Sequence, residues 1–300
     1  EDIVKKKKEA PGVLMLTGCV NSQKTHMMYA LSDGCCYKVI ACSSEAKAKQ
    51  IYEEYRFLDA AISFYPAKDL LFYQADIRSK ELISQRMQVI QAVLKGEPIT
   101  VVASFDAFMD ALLPKEMIKS RVIKICSDET LNLDELSVKL AQCGYDREIE
   151  VAGPGQFAVR GGTEELPVRI ELWGDEVDSI RTFDPETQRS IEKLDEVEVF
   201  PATEFPEEEE KRVSFLDYFE KENTILFLDE PVRLKEKGEG VEEEFLEAQK
   251  RRAQSGYEVA DSEAVLFTTQ EIMSKMNEYS SVGFQALDMR CPGLNIRASY

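Results

Sequence analysis

The sequence predicts an α/β protein: a parallel sheet with helices on its faces, an inserted small α+β domain, and a further α/β segment. Three observations carry this. In the first part of the chain, short apolar runs alternate with helical stretches, and such alternation implies a parallel sheet with crossover helices. From about Val122 the pattern changes to short strands broken by Gly and Pro turns, the mark of a compact α+β module. After Pro201, strand and helix alternate again. The expected domains are therefore 1–121, 122–201 and 202–300.

Val13–Leu16 reads as a buried strand and Lys24–Ser32 as a helix. Tyr37–Cys42 is the next strand. Ser44 then caps a helix whose Ile51, Tyr55 and Leu58 share a face. Ala61–Tyr65 is a third strand. Ile83, Met87, Ile90 and Leu94 stripe a helix that ends near Gly96. Ile99–Ala103 is a fourth strand, with Ser104 capping a short helix. In the second segment a helix over Asp134–Cys143 stops at Gly144, and Asp184-Pro-Glu-Thr signals a turn. In the third, Thr224–Leu228 is a strand, followed by a charged helix through about Arg252. Thr269–Tyr279 is another helix, and Val282–Leu287 a last strand.

Composition excludes several classes. Three hundred residues with 44% apolar content suffice for two or three domains with real cores. A net charge of −19 argues against a broad nucleic-acid surface, which needs clustered Lys and Arg to neutralise phosphates. The runs Glu207–Glu210 and Glu242–Glu244 read as solvated faces or a linker. Seven cysteines without a C-x-x-C pair suit reduced thiols in a cytoplasm, not a disulfide or zinc framework. One histidine, His26, leaves little for a metal site or a catalytic triad. No run approaches the ~20 apolar residues of a membrane span. Lys5–Lys8 and Val13–Leu16 are too short a pairing for a signal peptide. The chain begins at Glu1 without Met, as a cut fragment would.

Two strings imitate a nucleotide site. Gly18-Cys-Val-Asn-Ser-Gln23-Lys24-Thr25 follows a strand and opens a helix, and departs from a phosphate-binding loop at one position. The pattern needs Gly before Lys so that backbone N–H groups can close on phosphates. Gln23 puts a side chain there instead. Lys24 could still pair with an anion at a helix N-terminus. Leu226-Phe-Leu-Asp229-Glu230 looks like the strand end that holds Mg²⁺ and orients water in an ATPase. It lies far along the chain and runs straight into Pro231, so a plain strand-to-helix junction is favoured. No other motor motif follows. The fragment is expected to be non-catalytic, with no metal and no cofactor of its own.

The segment Gly153–Gly162, Pro167–Gly174 and Val177–Gln188 is the most informative. Val168, Ile170 and Leu172 alternate with Arg169, Glu171 and Trp173, so one face is core and the other carries the chain's one Trp among charges. Two readings stand. Either Trp173 lies under a loop, or it belongs to a docking face, since Trp and Arg carry much protein–protein binding energy. Pairing Arg169 with Arg181 and Ile170 with Ile180 places Trp173 opposite Val177. That register leaves Asp178 facing Leu172, an awkward match.

These residues, with Tyr65–Tyr73 and Leu226–Pro231, resemble the N-terminal UvrB-like region of the transcription-repair coupling factor family, Mfd. The resemblance runs through nearly the whole chain in order. It implies a degenerate P-loop-like (RecA-like) domain 1A, an inserted UvrA-binding domain 2 and a further segment 1B. It also implies a longer ATP-dependent DNA translocase that releases stalled RNA polymerase and recruits UvrA for nucleotide excision repair. Polymerase, double-stranded DNA, ATP and Mg belong to that longer protein. The alternatives are a nucleotide-binding ATPase using Lys24, Thr25, Asp229 and Glu230, against which Gln23 speaks, and a UvrB-type damage-recognition subunit, which would need an intact phosphate loop and a DNA-inserting hairpin. By position the UvrA-facing residues are Arg160, Arg169 and Trp173; strand alternation adds Arg181 and Phe183. In the intact family protein this face is held against a C-terminal domain. The family pattern places a short apolar strand after Arg-Gly-Gly, whereas here Gly162 passes straight to Thr163-Glu-Glu-Leu-Pro167. Either the strand is lost or the sequence omits those residues; the cost of losing a core strand favours omission.

Overall fold

The computed structural model describes residues 12–19, 21–68, 80–145, 156–159, 168–184, 187–202, 204, 212–256, 265–287 and 291–299. The chain divides into two compact units. Residues 1–77, 92–112 and 209–300 form the first, and 78–91 with 113–208 form the second.

The first unit is built on a seven-stranded sheet. Its strands are β1 (Gly12–Thr17), β2 (Tyr37–Cys42), β3 (Ile62–Tyr65), β4 (Ile99–Ser104), β11 (Thr224–Asp229), β12 (Ser280–Gln285) and β13 (Ile296–Ser299). Their order across the sheet is β13-β1-β12-β11-β2-β4-β3. Every neighbouring pair is parallel, as α/β alternation requires. The strands of the third predicted segment thus enter the same sheet as those of the first. β11 and β12 lie in its middle, between β1 and β2. Strands such as Ile99–Ser104 and Thr224–Asp229 are buried at every position, which is why they read as continuous apolar runs rather than alternating ones. Leu14, Leu16, Ile40, Val102, Phe227 and Phe284 from the sheet pack with Met28, Ile51 and Tyr55 from the helices.

Helices follow the expected pattern with local differences. The first begins at Asn21, ahead of the expected Lys24. Ser44 caps Glu45–Tyr55 by accepting from the Lys47 N–H at 3.2 Å. Ser104 occupies the N-cap of Phe105–Met109 but makes no capping bond. The last strand is β13, not the expected Val282–Leu287, which is β12 shifted to Ser280–Gln285. The helix Pro231–Gln254 starts on a proline, whose fixed φ suits the first helical turn. No described helix is long and apolar enough to cross a membrane.

The second unit holds two small sheets. β5 (Ile123–Cys126) pairs antiparallel with β10 (Glu196–Val199). β6 (Gln156–Val159), β7 (Val168–Trp173), β8 (Glu176–Phe183) and β9 (Ser190–Leu194) form an antiparallel sheet in that order. Its core is Ile125, Leu136, Leu140, Ile170, Val177, Ile180 and Val199. Leu136 and Leu140 come from the helix Leu133–Gln142, which Asn132 caps by accepting from two backbone N–H groups. Within this unit Arg86 is wholly buried and bonds Glu204 at 2.5 Å.

Candidate functional site

The outward face of the antiparallel sheet starts from the hairpin of β7 and β8. Gly174 turns the chain at φ 64°, a conformation that suits a residue without Cβ. The register pairs Arg169 with Arg181 and Ile170 with Ile180, as alternation predicts. The end of the hairpin differs. A bulge next to Glu171 lets Leu172 meet Val177 and Trp173 meet Glu176. Asp178 becomes the extra residue and stands exposed while Val177 is fully buried. The bulge resolves the awkward Asp178–Leu172 match by removing Asp178 from the pairing.

Trp173 is 83% exposed, so it does not lie under a loop. Arg169 is fixed from two sides. Its guanidinium lies 4.5 Å from the centroid of the Phe183 ring and donates to Gln188 Oε1 at 2.8 Å. Gln188 stands at φ 58° in a turn that Asp184 organises, accepting from the Thr187 N–H at 2.7 Å. The Asp184 turn signal therefore ends in a side chain that orients Arg169. Phe183 is only 6% exposed and acts as the platform beneath Arg169. Arg181 lies 3.7 Å from Glu171, which also accepts from the Ser179 hydroxyl at 2.7 Å. Arg160 lies outside the described residues, as do 161–167, where the family's apolar strand would fall.

The first unit brings the two nucleotide-like strings together, an arrangement that only the alternative ATP-site reading of the sequence requires. Lys24 Nζ donates to Asp229 Oδ1 and Glu230 Oε1, each at 2.7 Å, across a separation of 205 and 206 residues. Lys24 is 5% and Asp229 1% exposed. Burial works against the ammonium, but hydrogen bonds and charge attraction from both carboxylates outweigh it, so its pKa stands above the ordinary lysine value. Glu230 has φ 56° and ψ 71°, left-handed backbone for a residue with a side chain just before a proline. Such a conformation costs about 1–3 kcal/mol and persists where its surroundings fix it. Here the Ala286 N–H donates to Glu230 Oε1 at 3.0 Å and the Glu230 N–H to the Phe284 carbonyl at 2.7 Å.

The phosphate-loop resemblance stops at these contacts. Gly18 adopts φ 75° and donates its N–H to the Gln285 carbonyl. Because the helix begins at Asn21, Gln23, Lys24 and Thr25 sit inside its opening turns rather than in a loop. Gln23 is exposed, and the buried Thr25 hydroxyl donates to the Ser22 carbonyl at 2.9 Å. Among the described residues no cluster of three or more His, Cys, Asp and Glu could hold a metal ion.

The profile of the UvrB interaction domain matches residues 123–205. A transcription-repair-coupling factor of Bacillus subtilis (strain 168) is 38% identical over 169 residues, covering 53% of this chain and 14% of that protein. One from Staphylococcus epidermidis is 33% identical over 153 residues, covering 49% of this chain and 13% of its own length. One from Staphylococcus aureus (strain Mu50) is 32% identical over 157 residues, with 50% and 13% covered. The chain thus spans about a seventh of the length of these relatives. It is similar to the transcription-repair-coupling factors, as the residues around Arg169 and Trp173 led one to expect, and its second unit carries a segment of the UvrB interaction type.

Proposed function

We propose that this chain is the N-terminal part of a transcription-repair coupling factor, and that its second unit is a non-catalytic docking module for UvrA. The observation that carries the reading is Trp173, exposed at the hairpin end of the matched segment, on the same face of β7 as Arg169, which pairs with Arg181 further along the strand. An exposed Trp that shares a strand face with held guanidinium groups has the composition of a binding hot spot. Each guanidinium can grip a carboxylate through two parallel hydrogen bonds. Arg160, by its place after β6, is proposed as a further contact. Phe183 serves by holding Arg169.

The first unit is proposed as a degenerate RecA-like domain into which the docking module is inserted. It binds no nucleotide in this reading, since Lys24 is already neutralised by two carboxylates. DNA translocation, displacement of RNA polymerase and the use of ATP and Mg are proposed for the longer protein, in the cytoplasm.

Calorimetric titration of the chain with purified UvrA tests this. Arg169→Ala and Trp173→Ala are each expected to weaken binding by at least ~2 kcal/mol, as for a central anchor. Near-wild-type affinity in both variants would overturn the assignment.

A further inference from the structure

β9 was not part of the expected face, yet it completes a row of cations. Arg169 on β7 lies directly opposite Arg181 on β8, and Arg181 directly opposite Lys193 on β9. The neighbouring pairs Ile170–Ile180 and Ile180–Leu194 turn toward the core, so alternation sends all three cations to the outward face. Adjacent strands lie about 4.8 Å apart, so the row spans roughly 10 Å.

Like charges directly opposed across strands destabilise a sheet. A chain of net charge −19 has ample acidic residues with which to avoid such a row. Two of the three cations are compensated within the unit: Arg169 by Phe183 and Gln188, Arg181 by Glu171. Lys193 is exposed and makes no ion pair with a described residue. Beside it Ile191, 55% exposed, is skipped in the β8–β9 pairing, where Glu192 meets Thr182 and Ser190 meets Phe183. A cation without a partner among the described residues and an exposed apolar side chain therefore stand close together on β9.

We propose that Lys193 and Ile191 extend the docking face onto β9, so that a partner's acidic segment crosses β7, β8 and β9 instead of following the β7–β8 hairpin alone. The partner would offer carboxylates about 5–6 Å apart, the spacing of i, i+3 and i, i+4 side chains on a helix. Lys193 is the first cation open to it, because no contact with a described residue must break. This inference rests on the UvrA-docking reading of the same face.

The test titrates purified UvrA into the 300-residue chain at two salt concentrations, with Lys193→Ala, Lys193→Glu, Ile191→Ser and Arg169→Ala beside wild type. Lys139→Glu, on an exposed position of the helix Leu133–Gln142, serves as a charge control. Lys193→Ala is expected to weaken binding about 3–10-fold at low salt and to flatten the salt dependence, as removal of a steering charge does. Lys193→Glu is expected to weaken it more than ~10-fold, and Ile191→Ser about 3-fold or more. Thermal midpoints should stay at wild type, since both side chains are exposed. If Arg169→Ala weakens binding while all three β9 variants bind as wild type, the partner does not reach β9 and this inference alone falls. If Lys139→Glu costs as much as Lys193→Glu, the effect is net charge and the inference also falls. If wild type does not bind UvrA, both readings fall together.

Discussion

Lys24→Met puts the buried charge cluster of the first unit to the test. The substitution keeps most of the side-chain length and removes the ammonium. Asp229, at 1% exposure, then faces Glu230 with no cation between them. Breaking a buried ion pair by removing one partner typically costs about 3–5 kcal/mol, because the remaining charge stays buried and unpaired. The left-handed backbone of Glu230 adds to the effect, since one of the contacts that fix it is lost. For a folding unit of this size each kcal/mol moves the thermal midpoint by about 2–4 °C, so the expected fall is roughly 6–20 °C by circular dichroism. Replacing the whole cluster, as in Lys24→Met with Asp229→Asn and Glu230→Gln, should recover most of that loss, since a neutral cluster leaves no charge stranded. A fall of less than ~2 °C for Lys24→Met alone would refute the reasoning, as the carboxylates would then be solvated rather than held by the lysine.

The same cluster sets a pH window. A lysine whose pKa is raised on folding contributes stability that is fully present below its unfolded value near ~10.4 and is lost as pH rises through the higher folded value. Denaturant midpoints of wild type and Lys24→Met should therefore differ by a constant amount across neutral pH and converge only under strong alkali. Two glycines in the helix Pro231–Gln254 give a matched pair. A Cβ at Gly240 meets nothing within 4 Å, whereas one at Gly238 would lie 2.5 Å from Thr269 and 2.6 Å from Phe105. Gly240→Ala should stabilise by about 0.5–1 kcal/mol, and Gly238→Ala should destabilise by about 1–3 kcal/mol, both read by urea unfolding. Titration of a fluorescent ATP analogue with Mg²⁺ should show no saturable binding to wild type; binding that Lys24→Met abolishes would reverse the view of Lys24 as internally neutralised.

Much of the fold was legible because local pattern and tertiary environment agree. The runs at Tyr37–Cys42 and Ile99–Ser104 are mostly apolar because both faces of the sheet are covered, with Lys38 paired to Asp59. Ser44 capped its helix as its position implies, but Ser104, buried at the end of its strand, makes no capping bond although it holds the N-cap position. The Arg169–Arg181 register followed from alternation, whereas a bulge cannot be read from a period of two, and Asp178 hid it. Trp173 was found by its residue type among charges. Lys193 was missed because β9 has no alternation to mark an inner face: four of its five residues are exposed. The meeting of Lys24 with Asp229 and Glu230 was illegible for a different reason. Each string sits at its own strand end, and only the strand order, with β12 between β1 and β11, makes them neighbours. No local signal reports strand order.

That order also governs how the chain comes to be made. Among the described strands β1 comes earliest in the chain, and both of its partners, β12 and β13, come latest. At about 5–20 residues per second, Val13–Leu16 waits roughly 13–55 s before Ser280–Gln285 exists to cover it. During that interval β2, β4 and β3 can already associate, while four consecutive apolar residues of β1 have no hydrogen-bonding neighbour. A nascent chain that stalls before residue 280 therefore carries β1 as a bare, sticky strand. The first unit can close its sheet around β1 only once the ribosome has reached that late stretch.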